Sequence, residues 1–237
     1  MVGGFWFHHK GSTQNHNQAM KEAVILIHGI WMNGTEMFRL RQRLSNAGYE
    51  CHQFRYKSLK CSPEENAERL YKFTHSLDAP VVHFVCHSLG GLVLLHLFDK
   101  YIVEKKGRVV FLGVPVNGSE VARRLSSNMM TRWAVGKSIE HGLLGDRPVW
   151  KKWRDLGVIS GNFPLGVGLV VGGPSLPHDG TVSVEETWLA GATDYLTMPV
   201  NHFGLLYSEA VAIQVITFLR AGKFGDEATN LLYDATG

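Results

Sequence analysis

Residues 81–91 read Val-Val-His-Phe-Val-Cys-His-Ser-Leu-Gly-Gly, an apolar run ending on a serine among small residues. A serine hydroxyl at the tip of a sharp strand-to-helix turn is presented for attack on a carbonyl carbon. Such a turn demands strained backbone angles, costing about 1–3 kcal/mol, and small residues two before and two after the serine. Cys86 and Gly90 occupy those positions, the cysteine standing where glycine is usual. For Ser88 taken alone, the alternative is an N-terminal helix cap whose hydroxyl only accepts a backbone N–H.

Acyl transfer also needs donors for the oxyanion that forms, and backbone N–H groups fixed in place serve this better than side chains that must reorganise. The apolar stretch Ala23 to Ile27 runs into His28, Gly29, Ile30 and Trp31. In a parallel sheet its end lies beside the end of the Ser88 strand, so both loops face one cleft. The expected donors are the N–H groups of Leu89 and Ile30; losing one such donor costs about 10²–10³ in rate. His28 is expected to shape that loop by hydrogen bonding.

A strand followed by His-Gly-Ile, then a strand followed by Cys-His-Ser-Leu-Gly-Gly, resembles the α/β-hydrolase family, in particular its small lipases and carboxylesterases. The resemblance covers roughly residues 22–221 and implies a triad in the chain order serine, acid, histidine. Pro177 to Ser183 is similar to the Asp-Gly-x-Val segment that carries the family's acid, and Asp179 matches it. Asn201, His202, Phe203 and Gly204 follow a short strand and precede a helix, which puts His202 where the family's base belongs. Asp155 and Asp194 are rival acids, but both precede strands, and the active face of a parallel sheet lies at the strands' carboxyl ends. An Asp-Gly turn without catalysis is the alternative for Asp179.

The chain has 12 histidines, so position must discriminate among them. His8, His9 and His16 lie in a polar start and carry no role. His87 adjoins the serine and is expected to pack away from the cleft. His178 either lines the site or is an idle loop residue.

The 237 residues, 45% of them hydrophobic, suit one α/β domain with a buried core. No apolar run approaches the roughly 20 residues of a membrane span. The net charge of +3 comes without a dense basic tract, a zinc-ligand spacing or a phosphate-cradling loop, so nucleic acid is not an expected partner. Cys51, Cys61 and Cys86 form no disulfide framework and favour a reducing compartment, with a Cys51–Cys61 bridge left open. Residues 1–21 lack the pattern of a secretory signal and read as a disordered extension or an expression remnant. Residues 22–237 read as the single domain, and cytoplasmic is the default location.

The elements that must position these residues alternate strand and helix: strands near 23–27, 49–55, 81–85, 108–112, 156–160 and 195–199, helices near 35–47, 63–76, 89–98 and 204–221. Crossover helices imply a mostly parallel sheet covered on both faces. An insertion at about 116–154 reads as helical and amphipathic from Val121 to Leu144. In the family it resembles, such a segment forms a small helical cap over the acyl pocket; packing of two short helices into the core is the other reading. Trp31, Met129, Met130 and Trp133 are the candidate substrate-binding residues, since Met suits varied acyl shapes.

The sequence therefore predicts an α/β-hydrolase fold with a cap insertion, acting as a serine hydrolase of carboxylic esters through an acyl-enzyme. Ser88 is the expected nucleophile, His202 the base and then acid, Asp179 the orienter. No metal or organic cofactor is required. The expected partner is a small-molecule or lipid ester, with transient contact to a lipid surface left open. A thioesterase or acyltransferase on the same triad, or a binding protein that lost turnover, are the alternatives.

Overall fold

The computed structural model describes residues 22–226. The expectations for residues 1–21, including His8, His9 and His16, lie outside the described residues. Six parallel strands form one sheet in the order β2-β1-β3-β4-β5-β6: β1 Ala23–Ile27, β2 Glu50–Phe54, β3 Val82–His87, β4 Val109–Leu112, β5 Leu156–Gly161 and β6 Asp194–Met198. The central strands β1, β3, β4 and β5 are buried along their whole length, whereas the edge strands β2 and β6 retain exposed positions. This is why the central strands read as continuous apolar runs: helices cover both of their faces.

Successive side chains of a strand point to opposite faces. Ala23, Ile25 and Ile27 of β1 join a core that includes residues of α2 (Pro63–Ser76) and α3 (Leu89–Lys100), while Val24 and Leu26 join one with α1 (Phe38–Asn46) and the C-terminal helices. α2 opens on a reciprocal cap in which the Glu65 N–H donates to Ser62 Oγ and the Ser62 N–H donates to Glu65 Oε2. α3 buries every residue from Leu89 to Phe98, which fits its all-round apolar sequence and its place against the sheet.

The insertion departs from the continuous helical reading of Val121 to Leu144. Only α4, Glu120–Ser127, is a regular helix there, followed by 3₁₀ turns at Arg132–Ala134 and Gly136–Ile139. The Ser126 and Ser127 hydroxyls donate back to the Arg123 and Arg124 carbonyls, Asn128 is extended, and Gly136 has φ +51°. These local bonds compete with helix propagation, and periodicity alone does not register them. A short α5, Gly168–Val171, precedes the Asp179 loop. The predicted C-terminal helix is broken into α6 (Gly204–Tyr207) and α7 (Glu209–Ala221), because Ser208 turns extended and accepts the Val211 N–H as a cap. Cys51, Cys61 and Cys86 are all free thiols, so the Cys51–Cys61 bridge is not formed.

Candidate active site

Ser88 joins β3 to α3 with φ +52° and ψ −125°, a conformation rarely adopted by a residue with a side chain. Although it stands at the N-cap of α3, its hydroxyl makes no capping bond. The turn is held by its backbone: the Ser88 N–H donates to the Leu112 carbonyl at 3.0 Å and the Gly91 N–H to the Ser88 carbonyl at 3.1 Å. Gly90 is required by close packing, since a Cβ there would lie 2.5 Å from the Ile27 carbonyl oxygen and 2.7 Å from that of His28. Cys86 is completely buried in the core, and burial pushes its thiol well above the usual range. The departure from the usual glycine is thus absorbed by packing.

The second loop is locked from behind. His28 is buried, its ring stacks on Tyr56 with centroids 4.3 Å apart, and the Tyr56 hydroxyl donates to the His28 carbonyl at 2.7 Å. Its Nδ1 donates to the Gly29 carbonyl at 2.8 Å while Nε2 faces the Tyr56 N–H at 3.4 Å, a tautomer assigned from those partners. Burial holds the imidazole below the ordinary histidine range. Gly29 presses against the serine: a Cβ on it would lie 3.1 Å from Ser88 Cβ. Leu89 is the first residue of α3, so its N–H has no intrahelical acceptor.

His202 and Asp179 meet at the carboxyl ends of the strands. His202 Nδ1 lies 2.6 Å from Asp179 Oδ2, and both side chains are almost fully buried. The other oxygen, Oδ1, accepts the N–H groups of Thr181 at 2.9 Å and Val182 at 2.7 Å, and the His202 N–H donates to the Asp179 carbonyl at 2.9 Å. An accepting carboxylate puts the hydrogen on Nδ1 and leaves Nε2 with its lone pair. The rival acids sit elsewhere: Asp155 pairs with Arg108 at 3.2 Å, and Asp194 accepts the N–H groups of Tyr195 and Phe224, both at the amino ends of their strands.

His87 is a fully buried packing residue, as expected, but on the cleft side. Rather than packing away from the cleft, it forms part of its wall, with its ring 4.5 Å from that of His202 and its Nε2 donating to the His202 carbonyl at 3.1 Å. Complete burial, and then the neighbouring His202, hold it well below the usual range, so it props its neighbour as a neutral ring. His178 accepts the Gly180 N–H on Nδ1 and so shapes the acid loop.

Ser88 sits between two small cavities. One, of about 40 Å³, is bounded by Met32, His87, His202 and Phe203, and the other, of about 30 Å³, by Pro115, Val121, Leu125, Val135 and Leu143. Ile30, Trp31, Ser88 and Thr181 border both. Of the candidate substrate-binding residues, only Trp31 is brought to the cleft. Met129, Met130 and Trp133 are 91%, 81% and 76% exposed and border neither cavity. The chain leaves the α4 helix before reaching them, so the inward face is Val121, Ala122 and Leu125, whose helical spacing was readable in the sequence. Thr181 was missed as well; its place two residues after Asp179 was the available signal. Among the described residues, no cluster of three or more His, Cys, Asp or Glu is disposed to hold a metal ion.

A family model described as "Domain of unknown function (DUF7379)" matches residues 6–139. No curated protein matches the chain. Among solved structures, the mature lipase BlEst2 of Bacillus licheniformis is similar with a TM-score of 0.65 and 17% identity, over 88% of this chain and 94% of that one. Phospholipase PlaB of Legionella pneumophila is similar with a TM-score of 0.68 and 16% identity, over 91% of this chain and 61% of that one. Carboxylesterase CesB of Bacillus subtilis is similar with a TM-score of 0.54 and 12% identity, over 85% of this chain and 84% of that one. With the parallel sheet and its flanking helices, these likenesses show the α/β-hydrolase fold.

Proposed function

We propose that this chain, which belongs to the DUF7379 family, is a serine hydrolase that cleaves carboxylic esters through an acyl-enzyme intermediate. The observation that carries this reading is the 2.6 Å bond between His202 Nδ1 and Asp179 Oδ2 at a cleft shared with the strained, uncapped Ser88. That the similar structures include lipases and a carboxylesterase supports it.

Ser88 Oγ attacks the ester carbonyl while His202 Nε2 takes its proton. Negative charge then develops on the carbonyl oxygen, where the Ile30 and Leu89 N–H groups donate to it. Collapse of the tetrahedral intermediate breaks the bond to the leaving alcohol, and His202 returns its proton to that oxygen. Water, deprotonated by the same nitrogen, hydrolyses the acyl-enzyme and restores the serine. Asp179 holds the ring in the productive tautomer and stabilises the imidazolium without taking a proton. Residues 116–154 act as the cap over the acyl side. The three free thiols favour a reducing, cytoplasmic setting.

The test is covalent labelling with a fluorophosphonate probe alongside hydrolysis of p-nitrophenyl esters. Labelling and hydrolysis that both vanish in Ser88→Ala are expected. A folded wild-type protein that neither labels nor turns over an ester would overturn the reading.

A further inference from the structure

The mechanism assigns the two cavities beside Ser88 to different halves of an ester. His202 must reach the leaving oxygen to protonate it, so the alcohol belongs on the side bounded by His202 and Phe203. The acyl group is left the opposite side, under Leu125, Val135 and Leu143. That cavity is lined mainly by apolar side chains and is small, about 30 Å³.

Trp31 stands where the two meet. It borders both cavities, and its backbone is held at φ +61°. Its indole Nε1 reaches across the cleft to donate to the Ala134 carbonyl at 2.6 Å. Ala134 ends the first 3₁₀ turn after α4, and the segment beyond it is tied back to the body by the Lys137 N–H, which donates to the Leu59 carbonyl at 2.9 Å. The indole therefore joins the 28–31 loop to the insertion at the rim of both cavities.

We infer that Trp31 is a specificity-determining residue that closes the acyl cavity through its bond to Ala134 and restricts the enzyme to esters of short acyl groups. The inference rests on the hydrolase reading. A hydrophobic pocket discriminates about 10–200-fold per methylene gained or lost, so closure and opening should be visible in a chain-length series.

Wild-type protein, Trp31→Ala and Trp31→Phe are compared on p-nitrophenyl acetate, butyrate and octanoate, with fluorophosphonate labelling of each. The wild type is expected to favour acetate and butyrate, and Trp31→Ala to raise the octanoate-to-acetate ratio of kcat/KM by about tenfold or more. Trp31→Phe, which keeps a wall but loses the bond to Ala134, should fall between them. Leu125→Ala enlarges the same cavity from the cap side and should move the ratio in the same direction, which keeps the test alive if Trp31→Ala does not fold. A wild type that prefers octanoate, or an active Trp31→Ala and Leu125→Ala with the wild-type profile, overturns the inference while hydrolysis stands. Absence of labelling and turnover in the wild type overturns the hydrolase reading itself.

Discussion

The floor of the cleft and its roof are built to different standards. In the floor, the Asp179 carboxylate accepts bonds from His202 Nδ1 and the Thr181 and Val182 N–H groups, His87 props the His202 carbonyl, and Gly90 seats α3 against β1 without room for a methyl group. Asp179, Val182, His87, His202 and Gly90 are buried, so their bonds and contacts are protected from water and costly to leave unmade. In the roof, α4 gives way to short turns, Met129, Met130 and Trp133 face outward, and the Trp31 indole and the Lys137 N–H hold the turns to the rest of the molecule through single bonds to carbonyls. In the proposed mechanism the chemistry that needs fixed angles falls to the over-determined floor, whereas the less tightly bonded roof can change at small energetic cost.

The contrast is broken most severely through the acid. Asp179→Asn presents an amide N–H₂ to His202 and favours the wrong tautomer, so kcat for ester hydrolysis should fall by about 10⁴-fold. Fluorophosphonate labelling should slow in parallel. Activity within a few-fold of wild type would show that the floor does not depend on this bond.

A second probe is pH. Burial holds His28, His83, His87 and His96 below the usual range, His87 well below it. In the unfolded chain these groups bind protons near the ordinary value of about 6.5. Between that value and their lowered folded values the unfolded chain carries more protons, so stability is full above about pH 6.5 and is lost as pH falls through the window. His87→Gln retains a donor for the His202 carbonyl and removes one titrating ring, and its urea midpoint should drop less between about pH 7 and pH 5 than that of the wild type. Identical drops would show that the buried floor does not set the acid sensitivity.

The smallest effect is expected on the roof. Met129→Ser combined with Met130→Ser exchanges two outward side chains, and the urea midpoint should report a change within about 0.5 kcal/mol. kcat/KM on p-nitrophenyl acetate should be unaltered. A large loss would place these residues back among those that meet substrate.

The elements that surround the floor were legible because their signals are local. The apolar runs of β1, β3 and β4 demand burial on both faces, and the helical periodicity near 63–76 matches α2. The broken helix at Ser208 and the unwound segment after Ser127 were not legible, since a serine or asparagine that competes for backbone bonds looks in a periodicity count like any polar residue. Met129, Met130 and Trp133 misled for the same reason. Their apolar character suggested lining, and only the course of the chain turned them outward.

Ser88 and Gly90 follow from the sequence by itself, because a strand-to-helix turn with a glycine at that distance is a property of consecutive residues. The resemblance to the α/β-hydrolase family, with its order of serine, acid and histidine, pointed to Asp179 and His202, whose side chains the fold brings together. Only the tertiary structure decided which face of His87 meets its neighbour, which side of Ser88 is walled by Val121, Leu125, Val135 and Leu143, and that an indole from one loop reaches a carbonyl some hundred residues away. Those outcomes depend on how separate elements pack, and packing distances between remote segments are written in no local pattern of the chain.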